Sequence, residues 1–456
     1  MEFQRRSFLR AGLIGAGGLA TGALVTACGN NDGMMGESAA PTSSGGGGGG
    51  SAVKAITVAT ATTPWLDSYK AIVAEYEKAT GVKVTLQDFP FDGLQTQQIT
   101  AMQQGSNAFD VFQINEGWVG QFYGQSWMRP LKEIDPSFEW DPGIAEFDGL
   151  GRWDSKLQIT SADGEVVALP LNGNIHILAY RKDLYDKMGL KPPTTWDEAI
   201  ANGKRAVQEG LCKYGYVTRG QGAPGGNSVT FDFSAVLHSY GAEWIDNPGT
   251  DWTSGITTPA AEEAAAKYQE LLALGPANPQ TIDQAAVIAA MQSGDALQGH
   301  MVVAIAPQLE NQDKSNVAGM IGYAPVPAGP ERRSPISGAW TFGVPAGLPD
   351  DRAKAGLDFM KWITSKEAQT SWAKGGGVIT RSDVLDEVGS EIPQLGAMRD
   401  SLADVHQGIR FPFGHALLAS TEVNLNKIVA GQSSIPDGFK VIADDTAKAV
   451  TEAGLG

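Results

Sequence analysis

"ALPLNGNIHILAYRKDLYDKMGLKPPTTWDEAI", Ala168 to Ile200, is the stretch whose reading decides the fold. The run from Ile175 reads as a strand that passes directly into a helix. Pro192 and Pro193 forbid an earlier start for the next helix. Thr195 and Glu198 have the spacing of a capping box, in which each side chain satisfies a backbone N–H at the helix start. Strand, helix, hard stop and capped helix in so few residues is the grammar of an α/β layer fold.

The same grammar extends toward the N-terminus. "AITVAT" from Ala55 reads as a short buried strand. "LDSYKAIVAEYEKATG" places Leu66, Tyr69, Ile72, Val73 and Tyr76 on one helical face, with Gly81 as the stop. "VKVTLQDF" alternates like a strand, "GLQTQQITAMQQG" reads as a helix, and "DVFQI" as a further buried strand. Alternation of this kind predicts parallel strands covered by helices. Toward the C-terminus, "TPAAEEAAAKYQELLALG" reads as a helix with Pro259 in its first turn. "DQAAVIAAMQSG" reads as a helix leading into the strand "MVVAIA". "DDRAKAGLDFMKWITS" and "KEAQTSWAKGG" read as consecutive helices, and the last third is mostly helical to about Val450. No internal repeat interrupts the series.

A chain of 456 residues is too long for one ordinary core and implies at least two lobes. Its formal charge of −17 argues against nucleic acid as a partner, because phosphates need a basic surface. Nor does it offer a polybasic membrane patch. With two cysteines, Cys28 and Cys212, a disulfide framework is excluded. Cys212 reads as a small buried hydrophobe.

Cys28 has a different setting. Arg5, Arg6 and Arg10 precede the apolar, glycine-rich run Ala11–Ala27, which is short for a spanning helix and reads as an export signal over 1–27. "RRSFLR" resembles the twin-arginine export consensus, and "VTAC" resembles the bacterial lipobox, which implies a diacylglycerol on the Cys28 thiol and cleavage before it. Two acyl chains suffice for stable anchoring. Residues 28–52, with six consecutive glycines at Gly45–Gly50, read as a flexible tether. The expected location is the outer face of the cytoplasmic membrane.

Taken in order, "YEKATGVKVTLQ", "FDVFQINEGWVGQFYGQSWMRPLKEID", the 168–200 stretch, "AAMQSGDALQGHMVVAIA" and "GAWTFGVPAGLPDDRAKAGLDFMKWITSKEAQTSWAKGGGVITRSDVL" resemble the extracellular solute-binding proteins of ABC importers. The likeness is to the sugar-binding group related to maltose-binding protein. It implies a two-lobed periplasmic-binding-protein-like α/β fold with an interlobe cleft. The lobes are expected at 53–171 plus 337–383, and at 172–336 plus 384–456. A small-molecule sugar or polyol is the implied ligand and the ABC permease subunits are the implied membrane partners. The implied protein is a monomer that uses no cofactor and no metal.

A sugar offers a rim of hydroxyls and a face of C–H groups, so its site needs aromatic rings and planar polar side chains. Trp65 follows the first strand, at the edge that faces the crevice in an α/β lobe. Asp67 beside it is a ligand contact or a helix cap. Asn115, Glu116 and Trp118 follow "DVFQI", where the resembling family places a ligand loop. Trp340 sits where the chain re-enters the first lobe. Arg219, in the glycine-rich "TRGQGAPGGNS", can bond vicinal hydroxyls or a carboxylate in bidentate fashion, and Trp244 is a second-lobe platform. Asn172 and Asn174 bond ligand or make the hinge turn. The loop ending at Arg381 is a further candidate, while Tyr123, Trp196, Trp362 and Trp372 read as packing. "IAPQLE" lacks the aromatic ring that many relatives carry after the corresponding strand, so one stacking platform is missing.

Other functions remain open at this level. A glycoside hydrolase would need two carboxylates at a defined separation, which abundant Asp and Glu permit. No Gly-x-Ser-x-Gly elbow or His-Glu-x-x-His motif is present, and the histidines are scattered without metal-ligand spacing. A binding protein for a peptide, polyamine, iron or an anion is a second alternative, and a purely structural surface lipoprotein a third.

Overall fold

The computed structural model describes residues 53–456; the expected export signal with Arg5 and Arg6, the lipid site Cys28 and the tether lie outside the described residues. The molecule is organised around two sheets. The larger has five strands in the order Lys83–Phe89, Ala55–Ala61, Val111–Asn115, Trp340–Gly343, Leu169–Asn172. Its first three strands are parallel, as the alternation predicts. Trp340–Gly343 then inserts antiparallel between Val111–Asn115 and Leu169–Asn172. The smaller sheet, Gln298–Val302, His176–Arg181 and Ile321–Ala324, is antiparallel throughout. Its central strand, His176–Arg181, comes from a part of the chain distant from the two strands that flank it, so no local βαβ unit dictates their direction.

Local sequence explains the elements well. The helix Leu66–Thr80 buries Leu66, Tyr69, Ile72, Val73 and Tyr76, the five residues of its apolar stripe, and Gly81 ends it with φ 76°. Only glycine takes that left-handed conformation without a Cβ penalty. Burying each of these side chains is worth about 1.5–3 kcal/mol. At the start of Trp196–Gln208 the Thr195 hydroxyl accepts the Glu198 N–H at 3.2 Å. The Glu198 carboxylate reaches back one residue further than a capping box requires, to the Thr194 N–H at 2.7 Å. Pro259 opens the helix Pro259–Leu272 at its first turn. The expected strand "MVVAIA" is displaced: the strand is Gln298–Val302, and Val303–Ile305 is a 3-10 turn. Burial favours β-branched side chains in strand and turn alike, so the run does not fix where the strand ends.

Trp196 and Trp372 are fully buried, and Trp372 stacks on Tyr69 at 5.8 Å. Cys212 is a free thiol, pushed up to about 11 by burial. Among the described residues no helix is long and apolar enough to cross a membrane.

Candidate functional site

The pairing registers bring several loops to one edge. Trp340 pairs with Asn115 on one side and with Asn172 on the other. Because Trp340–Gly343 and Leu169–Asn172 run in opposite directions, Trp340 begins its strand where Asn115 and Asn172 end theirs. Thr62–Trp65 follow the end of Ala55–Ala61 at the same edge. In open α/β sheets this edge is where ligands bind. The smaller sheet presents Val302, paired with His176, just beyond Asn174.

Between these edges lies a cavity of about 300 Å³, bordered by Trp65, Asn115, Glu116, Asn174, Arg219 and Trp340 among others. Five of the sequence-selected ligand residues therefore meet at one cavity, and Asn174 joins them. Trp118, Asp67 and Trp244 do not border it. Trp118 is buried behind it, 4.7 Å from Phe91 and 5.7 Å from Trp340, ring to ring. Asp67 is exposed in the first turn of its helix. Trp244 is buried in a separate apolar cluster and donates its indole N–H to Ser234 at 2.9 Å. Arg381 is likewise removed from the cavity: it is ion-paired with Asp141 and Asp383.

One wall is aromatic. Trp340 meets Trp65 at 6.3 Å, Phe91 at 5.8 Å and Trp118 at 5.7 Å, each near edge-on. Such pairs lock one another's orientation and add about 0.5–1.5 kcal/mol each beyond burial. Across the cavity stands Phe231. It approaches so closely that a Cβ on Gly338 would lie 2.7 Å from its ring.

The charged groups are neutralised within the protein. Glu116 is 2% exposed, and its carboxylate accepts from Gly408 N–H at 2.7 Å and Arg410 Nε at 2.6 Å on one oxygen. The other oxygen accepts from Ser337 Oγ at 2.5 Å and Ala339 N–H at 3.0 Å. Arg219 donates from Nε to Asp232 at 2.7 Å and also from Nη2, and its guanidinium carbon lies 5.0 Å over the Phe231 ring. Burial alone would raise the Asp232 carboxyl, but the Arg219 charge, aided by His300 and His176, holds it well below the usual carboxylate range. Arg219 keeps Nη1, which makes only a 3.5 Å contact to the Asn227 carbonyl. It is thus a partly engaged donor rather than an open fork.

Histidines scattered in sequence form two spatial groups, His176–Asp232–His300 and His238–Glu243–His406. Sequence spacing could not reveal either. Chemically they resemble hydrogen-bond networks more than metal centres, because Arg219 and Arg332 bind the same two carboxylates. The His238 and His406 rings also stack face to face at 3.8 Å, and each turns a ring nitrogen to the same Glu243 oxygen, at 2.9 and 3.2 Å.

Thr62, Thr63, Phe91, Asn227, Phe231, Gln284 and Ser337 also border the cavity. Of these, only Asn227 lies in a loop that its glycines advertise. The Thr63 hydroxyl is buried without a hydrogen-bond partner among the described residues.

The pattern of the bacterial extracellular solute-binding proteins matches residues 59–370. The chain belongs to that family. A probable amino-acid ABC transporter periplasmic-binding protein of Sinorhizobium fredii is 25% identical over 70% of this chain and 71% of its own length. The erythritol/L-threitol-binding protein of Mycolicibacterium smegmatis is 25% identical over 69% of this chain and 67% of its own. Among solved structures, an ABC transporter solute-binding protein from Agrobacterium radiobacter in complex with ribitol superposes with TM-score 0.72. It is 20% identical and covers 86% of this chain and 98% of its own. The family's two-lobed α/β fold is therefore the fold of this chain.

Proposed function

We propose that this solute-binding protein captures a small uncharged sugar or polyol in the cavity bordered by Trp340 and Asn174, and presents it to an ABC permease. One observation carries the reading. An aromatic wall and the amide side chains of Asn115 and Asn174 border one cavity, whose two charged groups among the described residues, Glu116 and Arg219, already have protein partners. Rings suit C–H faces, amides suit hydroxyls, and the neutralised charges leave no counter-ion for a charged solute. A volume of about 300 Å³ sits at the small end of the ~300–1,000 Å³ typical of ligand sites, which favours a short ligand over a long oligosaccharide. The relative named for erythritol and L-threitol, and the ribitol complex, agree in ligand class. The name of the Sinorhizobium relative points to amino acids. An ammonium group would need a free carboxylate, and Glu116 already accepts four hydrogen bonds.

The rest of the reading comes from the sequence and the family likeness. The lobes are 53–171 plus 337–383 and 172–336 plus 384–456, and sheet membership supports this division. Closure around ligand comes from its differential affinity for the closed form. The chain works as a monomer without a catalytic step of its own, exported through Arg5 and Arg6 and held to the membrane by lipid on Cys28. Thermal unfolding against sugars, alditols, amino acids and peptides tests the ligand class. At 100 times Kd a ligand adds about 2.7 kcal/mol of stability. A saturable rise with a neutral sugar or alditol supports the reading, and a rise with amino acids or peptides alone sinks it.

A further inference from the structure

Two amides that border the cavity are already oriented by the backbone. Asn115 Oδ1 accepts the Gly117 N–H at 3.0 Å, and Asn174 Oδ1 accepts the Ala304 N–H at 3.1 Å. A backbone N–H can only donate, so neither amide can flip without setting its NH₂ against that donor. Each NH₂ is therefore turned away from the backbone, and neither has a hydrogen-bond partner among the described residues. Asn172 repeats the device behind them: its oxygen accepts the Asn174 N–H at 3.1 Å, and its Nδ2 is buried without a partner. Arg219 Nη1 is the remaining weakly engaged donor. Among the described residues the one carboxylate that borders the cavity, Glu116, is saturated.

We propose that Asn115 and Asn174 act as fixed hydrogen-bond donors that select a ligand for its acceptor oxygens and reject one that bears an amino group in their place. This rests on the sugar or polyol reading and sharpens it. At these two positions the ligand is recognised through the lone pairs of hydroxyl, carbonyl or ring oxygens. A hydroxyl fits because its proton can turn elsewhere, for instance toward the unpartnered Thr63 hydroxyl. A protonated amine has no lone pair to offer, and burying it unpaired is costly.

The test uses the described chain with Asn115→Asp, Asn174→Asp and Asn174→Ala. Aspartate keeps the oxygen that accepts the backbone N–H and replaces the free donor with an acceptor. Without ligand, Asn174→Asp should melt close to the native protein and Asn174→Ala several degrees lower; equal losses for both would overturn the assigned orientation. With the neutral sugar or alditol that shifts the native protein most, both aspartate variants should bind at least tenfold more weakly. Its deoxyfluoro analogue at the contacted position should keep more affinity than the deoxy compound, and the amino analogue should lose most. Undiminished binding by the aspartate variants, or an amino analogue that binds as well as its parent, would overturn the proposal. If no neutral sugar or alditol binds the native protein, the ligand reading fails, while the ligand-free melting comparison still decides the amide orientation.

Discussion

The Glu116 carboxylate and the Arg410 guanidinium form an ion pair at 2.6 Å, with side chains only 3% and 1% exposed. The pair joins four separate segments. Glu116 follows the strand Val111–Asn115; its oxygens also hold Ser337 and Ala339 before Trp340, and Gly408 beside Arg410. Arg410 in turn donates to the Asp148 carbonyl at 3.0 Å. Glu116 thus fixes the loops that frame the cavity, and its acceptor capacity is used by the protein.

Removing one partner of such a pair leaves a buried charge. Arg410→Met is expected to destabilise by about 3–5 kcal/mol. Combining it with Glu116→Gln should recover part of the loss, because no unpaired charge then remains. Denaturant unfolding of the two single variants and the double variant measures the coupling, and strict additivity would contradict the strut role.

Trp340 and Trp244 are both buried tryptophans, 5% and 3% exposed, yet they stand in different places. Trp340→Phe should weaken binding at least tenfold while the fold persists. Trp244→Phe should lower stability by about 1–3 kcal/mol, through the lost indole bond to Ser234 and the space left behind, with affinity unchanged. Calorimetric titration beside thermal melting separates the two outcomes.

Acid should destabilise the protein well before its carboxylates titrate. Burial lowers His176, and brings His238 and His300 down to about 4. The unfolded chain takes protons near pH 6.5 that these folded rings refuse. The stability they contribute is present above that pH and is lost as pH falls toward 4. Asp232 and Glu243, both held below the usual range against the effect of burial, extend the loss below about pH 4. Glu422, raised by burial, works with the opposite sign, its contribution fading as pH rises through its folded value. Melting midpoints should fall from pH 7 to pH 5 with net proton uptake on unfolding. A flat profile over that range would contradict neutral buried histidines.

Asp232 supports Arg219 at the cavity border. Asp232→Asn should leave the Arg219 guanidinium buried with a weaker partner, costing about 3 kcal/mol or more in stability. It should also shift selectivity toward ligands that carry a carboxylate. Competition between a neutral alditol and the corresponding sugar acid reads that shift.

How legible this was in the sequence depends on range. The stripe Leu66–Tyr76, the Thr195 cap and the glycine stop at Gly81 are set by neighbours within a turn or two, and all were readable. Trp65, Asn115, Glu116 and Trp340 are legible because strand ends point residues at a crevice, and Arg219 because glycines mark its loop. Trp244 was not separable from them, since an indole in a loop looks the same whether it faces ligand or Ser234. The Ala304 N–H that fixes Asn174, the four donors on Glu116 and the two histidine groups are long-range encounters, for which spacing carries no signal, whereas the Gly117 N–H that fixes Asn115 lies two residues on. The antiparallel insertion of Trp340–Gly343 belongs to the same class.

The proposed ligand of the Trp340 cavity is a small neutral sugar or polyol. Calorimetric titration of the chain from Ala52 onward with alditols and monosaccharides, repeated on Trp340→Phe, tests it most directly. Saturable one-to-one binding of at least one neutral compound is expected, weakened tenfold or more by the substitution. Binding of a charged solute only, or of a neutral one with undiminished affinity in the variant, would contradict it.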